Sequence, residues 1–133
     1  MGLLYLFFLF ALDWQNTGEL TGALTVTDLV IGPNGYLYAA VNIDTTSADS
    51  GWVYYSTDFY NWSRAGDLPG DIRRIYCLKK IGGDTLVAGT RSIYGGIDSG
   101  HLYISPNGLT WQFRSRLRGT RVGQAITALL EDN

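Results

Sequence analysis

Two aspartates, Asp49 and Asp98, each stand directly before Ser-Gly and lie 49 residues apart in the chain. Paired carboxylates of this kind are what glycoside hydrolysis needs, one as acid and one as base or nucleophile. Close to the second in sequence are Arg91 and Tyr94, a permanent cation and a ring with an apolar face. Both aspartates fall in polar stretches rich in Gly and Ser, "IDTTSADSG" at 43–51 and "RSIYGGIDSG" at 91–100, which read as loops. Asp49, Arg91, Tyr94 and Asp98 are therefore the candidate ligand-binding residues, suited to a glycan or a protein partner. The bland alternative is that Asp-Ser-Gly only opens a strand through a side-chain-capped turn.

Other reactive groups are few. Cys77 is the one cysteine, which excludes an internal disulfide and a multi-cysteine metal site. It stands in the apolar run "IYCLKK" and reads as a packed core thiol. His101 is the one histidine; with no second histidine to share a metal or a triad, it reads as a surface or hydrogen-bonded residue. "IGGD" and "GPNG" are turns without the lysine and following helix of a phosphate loop. No metal site and no cofactor is expected, and no catalytic residue is assigned.

These residues are positioned by a repeat. Trp14, Trp62 and Trp111 are spaced by 48 and 49 residues, and each opens a nine-residue phrase ending in glycine: "WQNTGELTG", "WSRAGDLPG", "WQFRSRLRG". "DSGWVYYS" at 49–56 and "DSGHLYIS" at 98–105 precede the second and third. Apolar runs follow each phrase, at 26–35, 73–83 and 126–133. Strands are expected near 26–31, 36–42, 52–57 and 61–66, then near 74–80, 84–90, 101–105 and 111–117, with turn residues between them. No segment has a helical period. Four-stranded units recurring every 40–50 residues or so are the pattern of β-propeller blades. The expected fold is all-β, with blade parts at 1–22 and 120–133 and whole blades at 23–70 and 71–119.

The turns "STDFYNW" (56–62) and "SPNGLTW" (105–111) resemble the Asp-box of sialidase-like propellers, also known as the BNR repeat. The resemblance implies a structural role for Ser56, Asp58 and Trp62, and for Ser105, Asn107, Gly108 and Trp111. In that family the short polar side chain at the third position folds back onto backbone N–H groups, and the Trp packs between blades. Here Asn107 replaces the aspartate, and Tyr60 and Asn61 stand where Gly and Thr are expected. Sialidase-like enzymes gather three arginines, a tyrosine, a glutamate and an aspartate. This chain lacks an Arg-Ile-Pro motif near its start and holds only Glu19 and Glu131. The expectation is a non-catalytic binding or scaffold module that recognises a glycan. The alternative is a fragment of a sialidase-like or other Asp-box glycoside hydrolase.

Two whole blades and one composite make about three, too few for a ring of four to eight. A homodimer would give six. Residues 1–63 carry six acids and no Lys or Arg, while 64–133 carry ten basic residues against six acids, an opposition that suits packing between copies. A net charge of −2 gives no global field for nucleic acid. Arg114, Arg116 and Arg118 alternate along the last strand and read as charges guarding an exposed edge. The apolar start, "MGLLYLFFLFALDWQ", lacks a preceding cation and a small-x-small site, is too short to cross a bilayer as a helix, and reads as a buried strand. The compartment stays open, with the outside of the cell favoured over the inside.

Overall fold

The computed structural model describes residues 20, 25–44, 49–94, 96–117 and 125–130. Their strands form two four-stranded antiparallel sheets. The first contains β1 (Thr25–Ile31), β2 (Leu37–Asp44), β3 (Asp49–Ser56) and β4 (Ser63–Arg64), hydrogen-bonded in that order. The second contains β5 (Asp71–Ile81), β6 (Thr85–Tyr94), β7 (Ile97–Ser105) and β8 (Gln112–Leu117), again in order. Alternating apolar residues separated by Gly and Asn turns produce this meander, and among the described residues there is no α-helix.

The repeat extends to backbone irregularities. β1 is bulged between Val26 and Asp28, and β5 between Ile75 and Cys77. The extra residues, Thr27 and Tyr76, are 49 apart, so the first strands of both sheets bend at the same point. Two differences from the sequence reading matter. The strands flanking 43–51 and 91–100 pair down to Asp44↔Asp49 and Tyr94↔Ile97, so most of the second stretch is ladder rather than loop. Turn-type composition misled because Ser, Thr and Gly also suit a β-ladder where another backbone packs against it. The fourth strand of the first sheet is also only two residues long, with Ala65 N donating to Val53 O beyond it.

One core lies between the sheets. Tyr38, Ala40, Val53, Ala65 and Leu68 from the first half meet Ile72, Ile75, Leu78, Leu86, Ala88, Tyr103 and Trp111 from the second. The inner edge of β5 would present unpaired backbone groups to this interface, a cost that buried edges must meet. Side chains of the first sheet act as the missing partner. Asn42 Nδ2 donates to Ile75 O (2.9 Å), Asn42 Oδ1 accepts from Ile75 N (2.8 Å), and Asp28 Oδ2 accepts from Leu78 N (2.8 Å). Thr27 Oγ1 adds a second donor to Ile75 O at 2.7 Å.

Residues 125–130 sit on the far face of the second sheet. Ile126 N donates to Thr90 O (3.2 Å), and the Cys77 thiol donates to Ile126 O (3.6 Å). A Cβ at Gly100 would stand 3.2 Å from Ala125, much as one at Gly51 would stand 2.8 Å from Ile75 N. The segment thus meets the second sheet where β5 meets the first. Cys77 is buried, as expected, and burial pushes its thiol pKa up. The expected blade made of 1–22 with 120–133 lies largely outside the described residues.

Candidate functional site

Strand alternation puts His101 and Tyr103 on the face of β7 that looks toward the first sheet, because they pair with Thr90 and core Ala88. On β8 the register shifts between Leu102↔Ser115 and Tyr103↔Phe113, which leaves Arg114 as an extra residue. That bulge interrupts the expected alternation at Arg114 and Arg116, while Arg118 lies outside the described residues. Phe113 and Arg116, three apart, come to lie beside Tyr103 and His101. The strap that joins the sheets supplies Pro69 and Gly70, followed by Asp71 at the start of β5. Together with Ile93 these residues line a cleft of ≈ 540 Å³.

The cleft wall has a defined hydrogen-bond chain. Tyr103 Oη donates to Pro69 O at 2.9 Å, so its oxygen is left to accept from His101 Nδ1 at 3.1 Å. Nδ1 then carries the proton and Nε2 the lone pair. His101 is only 5% exposed, and among the described residues Nε2 has no partner. Burial first, and the Arg116 cation second, hold the imidazole pKa below 6.5, so it is neutral at pH 7. Burial raises the Tyr103 phenol, which keeps it a donor. Phe113 meets both rings edge-on, 5.2 Å from His101 and 5.9 Å from Tyr103. Of the two expectations for His101, the surface position is corrected, and the hydrogen-bonded one holds for Nδ1 but not for Nε2. Its place in "DSGHLY" matches Trp52 in "DSGWVY", an inward strand position, and that correspondence was the available signal.

The residues singled out by sequence lie elsewhere. Arg91 Nη2 and Asp98 Oδ2 form an ion pair at 2.7 Å, on the face of the second sheet opposite His101, and Asp98 is buried. Tyr94 ends β6 and Asp49 opens β3 in another sheet. The side chains of these two lie outside the described residues.

The two Trp-containing turns are built alike. Asp58 Oδ1 accepts from Ser56 Oγ and from the N–H groups of Tyr60 and Asn61, at 3.1, 2.9 and 2.7 Å. Asn107 Oδ1 accepts from Ser105 Oγ, Leu109 N and Thr110 N, at 3.3, 2.9 and 2.9 Å. Hydrogen bonds from Asn61, backbone and then side chain, and from Tyr60 hold the Asp58 carboxyl well below its usual range. Gly108 has φ 75° and Phe59, its counterpart, φ 67°. So Phe59 rather than Tyr60 occupies the glycine position, at a conformational cost of about 1–2 kcal/mol. Trp111 is buried and its Nε1 donates to Ala65 O (2.9 Å), tying the second turn to the first sheet.

No family model matches this chain. Nor does any curated protein or solved structure. Among the described residues no group of three or more His, Cys, Asp and Glu gathers as metal ligands, and no helix is long and apolar enough to cross a membrane.

Proposed function

We propose that this chain is a non-catalytic binding module of propeller-type blades, whose cleft takes a hydroxylated ring such as a sugar. The carrying observation is the buried Nε2 of His101, an acceptor without a partner among the described residues, at a cleft that Ile93, Tyr103 and Phe113 also line. A buried polar atom left unpaired costs about 1–3 kcal/mol, which a ligand hydroxyl would recover. Phe113, half-exposed, offers apolar surface for a ring over the buried Tyr103, and Arg116 and Asp71 offer a donor and an acceptor at the same cleft. Among the described residues Asp71 is the one carboxylate lining it, whereas glycoside hydrolysis requires two. That asymmetry favours binding over hydrolysis. The Asp-box reading of the turns is supported by the shared folding-back of Asp58 and Asn107, and it assigns them a structural role.

Binding to a printed array of neutral and uronic-acid oligosaccharides of one to six units, followed by calorimetry, tests this. His101→Phe and Phe113→Ala are each expected to weaken binding about tenfold, the equivalent of one hydrogen bond or one ring contact. Affinity should hold steady from pH 8 to pH 6.5 and fall below that, as Nε2 takes a proton and can no longer accept. The other titratable groups at the cleft are Tyr103, Asp71 and Arg116. Folding stability follows the same sign: with the folded pKa below 6.5, it is complete above 6.5 and declines as pH falls through the folded value. An array with no signal, or variants that bind as the parent does, would overturn the proposal.

We also propose that two copies complete a ring. The two repeated sheets, the opposed charges of the chain halves and the half-exposed Leu29 and Ile31 on the far face of β1 support this. Light scattering behind a sizing column should give about twice the chain mass of 14.7 kDa. A monomer would end the pairing idea while leaving the cleft untouched.

A further inference from the structure

A second cleft, of ≈ 290 Å³, adjoins the first and shares Gly70 and Asp71 with it. Its remaining wall includes Ser50, Trp52, Arg64 and Asp67. The Arg64 guanidinium lies 4.0 Å over the Trp52 ring and pairs with Asp67 at 2.6 Å. Trp52 and Tyr54 stack obliquely at 6.4 Å, as His101 and Tyr103 do at 6.1 Å. These pairs are 49 residues apart, and so are Arg64 and Phe113, the residues that cover them. Trp52 and Arg64 in the second cleft thus hold the positions that His101 and Phe113 hold in the first: a ring from the third strand, covered by a side chain from the fourth.

We infer that the two clefts are subsites of one groove, and that the groove recognises a linear oligosaccharide laid across the strap at Gly70. This rests on the reading of the first cleft as a sugar site. The chemistry of the two halves is complementary rather than duplicated. The first is walled by rings and holds a buried acceptor, which suits one face of a sugar ring. The second is mainly polar. There Arg64 is paired with Asp67, and Asp71 and Ser50 line the same cleft. Alternating donors and acceptors match the hydroxyls of a neutral polyol better than a charge of either sign, since any ionic group would meet both a partner and a repeller. Gly70 carries no side chain and lines both clefts, so a chain passing from one to the other would cross the strap there. Linking two ring units then converts the second binding event into an intramolecular one.

The test is a calorimetric length series on the intact protein, using the array-selected neutral sugar as its one-unit, two-unit, three-unit and four-unit forms. The parent should gain about tenfold or more in affinity between one and three units. Asp67→Ala and Arg64→Gln should each cut that gain to about threefold or less while leaving one-unit affinity unchanged. Melting curves for both variants check that the fold is kept, and Asp67 is exposed enough for its loss to be harmless. Affinity indifferent to length, or a length gain that survives both variants, would overturn the groove. If Phe113→Ala leaves one-unit binding intact, the reading of the first cleft fails instead, and the two failures are told apart.

Discussion

Replacing Asn42 by alanine is expected to lower the unfolding free energy by about 3 kcal/mol, read from urea denaturation at constant m-value. Asn42 is 1% exposed and clamps both the N–H and the C=O of Ile75 on the edge that faces the first sheet. Alanine would strand a buried N–H and remove one of two donors to a buried C=O, and each unsatisfied group costs about 1–3 kcal/mol. Thr27 Oγ1 keeps its own bond to Ile75 O, which holds the total below the sum of two orphaned groups. Asn42→Asp should do no better. It retains the acceptor for Ile75 N but sets a carboxylate against the carbonyl of Ile75 in a dry interface. A loss under about 1 kcal/mol for the alanine variant would mean that water or a shifted β5 replaces the amide, and the edge-pairing account of the two sheets would be withdrawn.

Gly108→Ala should cost at least as much, about 3 kcal/mol or more, for two additive reasons. At φ 75° an L-residue bears a strain of about 1–2 kcal/mol. Its Cβ would also stand 2.1 Å from Tyr38 Oη and 2.4 Å from Cζ. Tyr38 is fully buried in the inter-sheet core and cannot swing away without opening it. Phe59 tolerates the same backbone in the first turn because it is 43% exposed and pays only the strain. Pairing Gly108→Ala with Tyr38→Phe removes the nearest atom, and the double mutant should recover about 1 kcal/mol relative to additivity. Full additivity would show that the cost is backbone strain alone and that the turn does not press on the core.

Much of the architecture was readable in the chain because it is written twice. Trp62 and Trp111 mark the period, and aligning the repeats on them places all eight described strands to within a few residues. The bulges at Thr27 and Tyr76 were not visible, since a bulge is set by how one strand bends over its neighbour and leaves no fixed residue signature. The strands around 43–51 and 91–100 were shortened in the reading for a related reason. Ser, Thr and Gly suit a turn in isolation and suit a ladder once another backbone covers them, as Ile75 covers Gly51.

For the site, the sequence by itself determined which side chains recur: Asp49 with Asp98, Trp52 with His101, Tyr54 with Tyr103. Only the tertiary structure decided which of them share a surface. Arg91 and Asp98 face away from His101 because successive residues of a strand point to opposite sides, and one parity step separates the cleft wall from the far face of the sheet. Phe113 and Arg116 join the cleft because a single extra residue, Arg114, breaks the alternation of β8. Parity can be counted along a sequence as long as the strand is regular. A bulge resets the count, and its position comes from strand pairing, which exists only once the chain has folded.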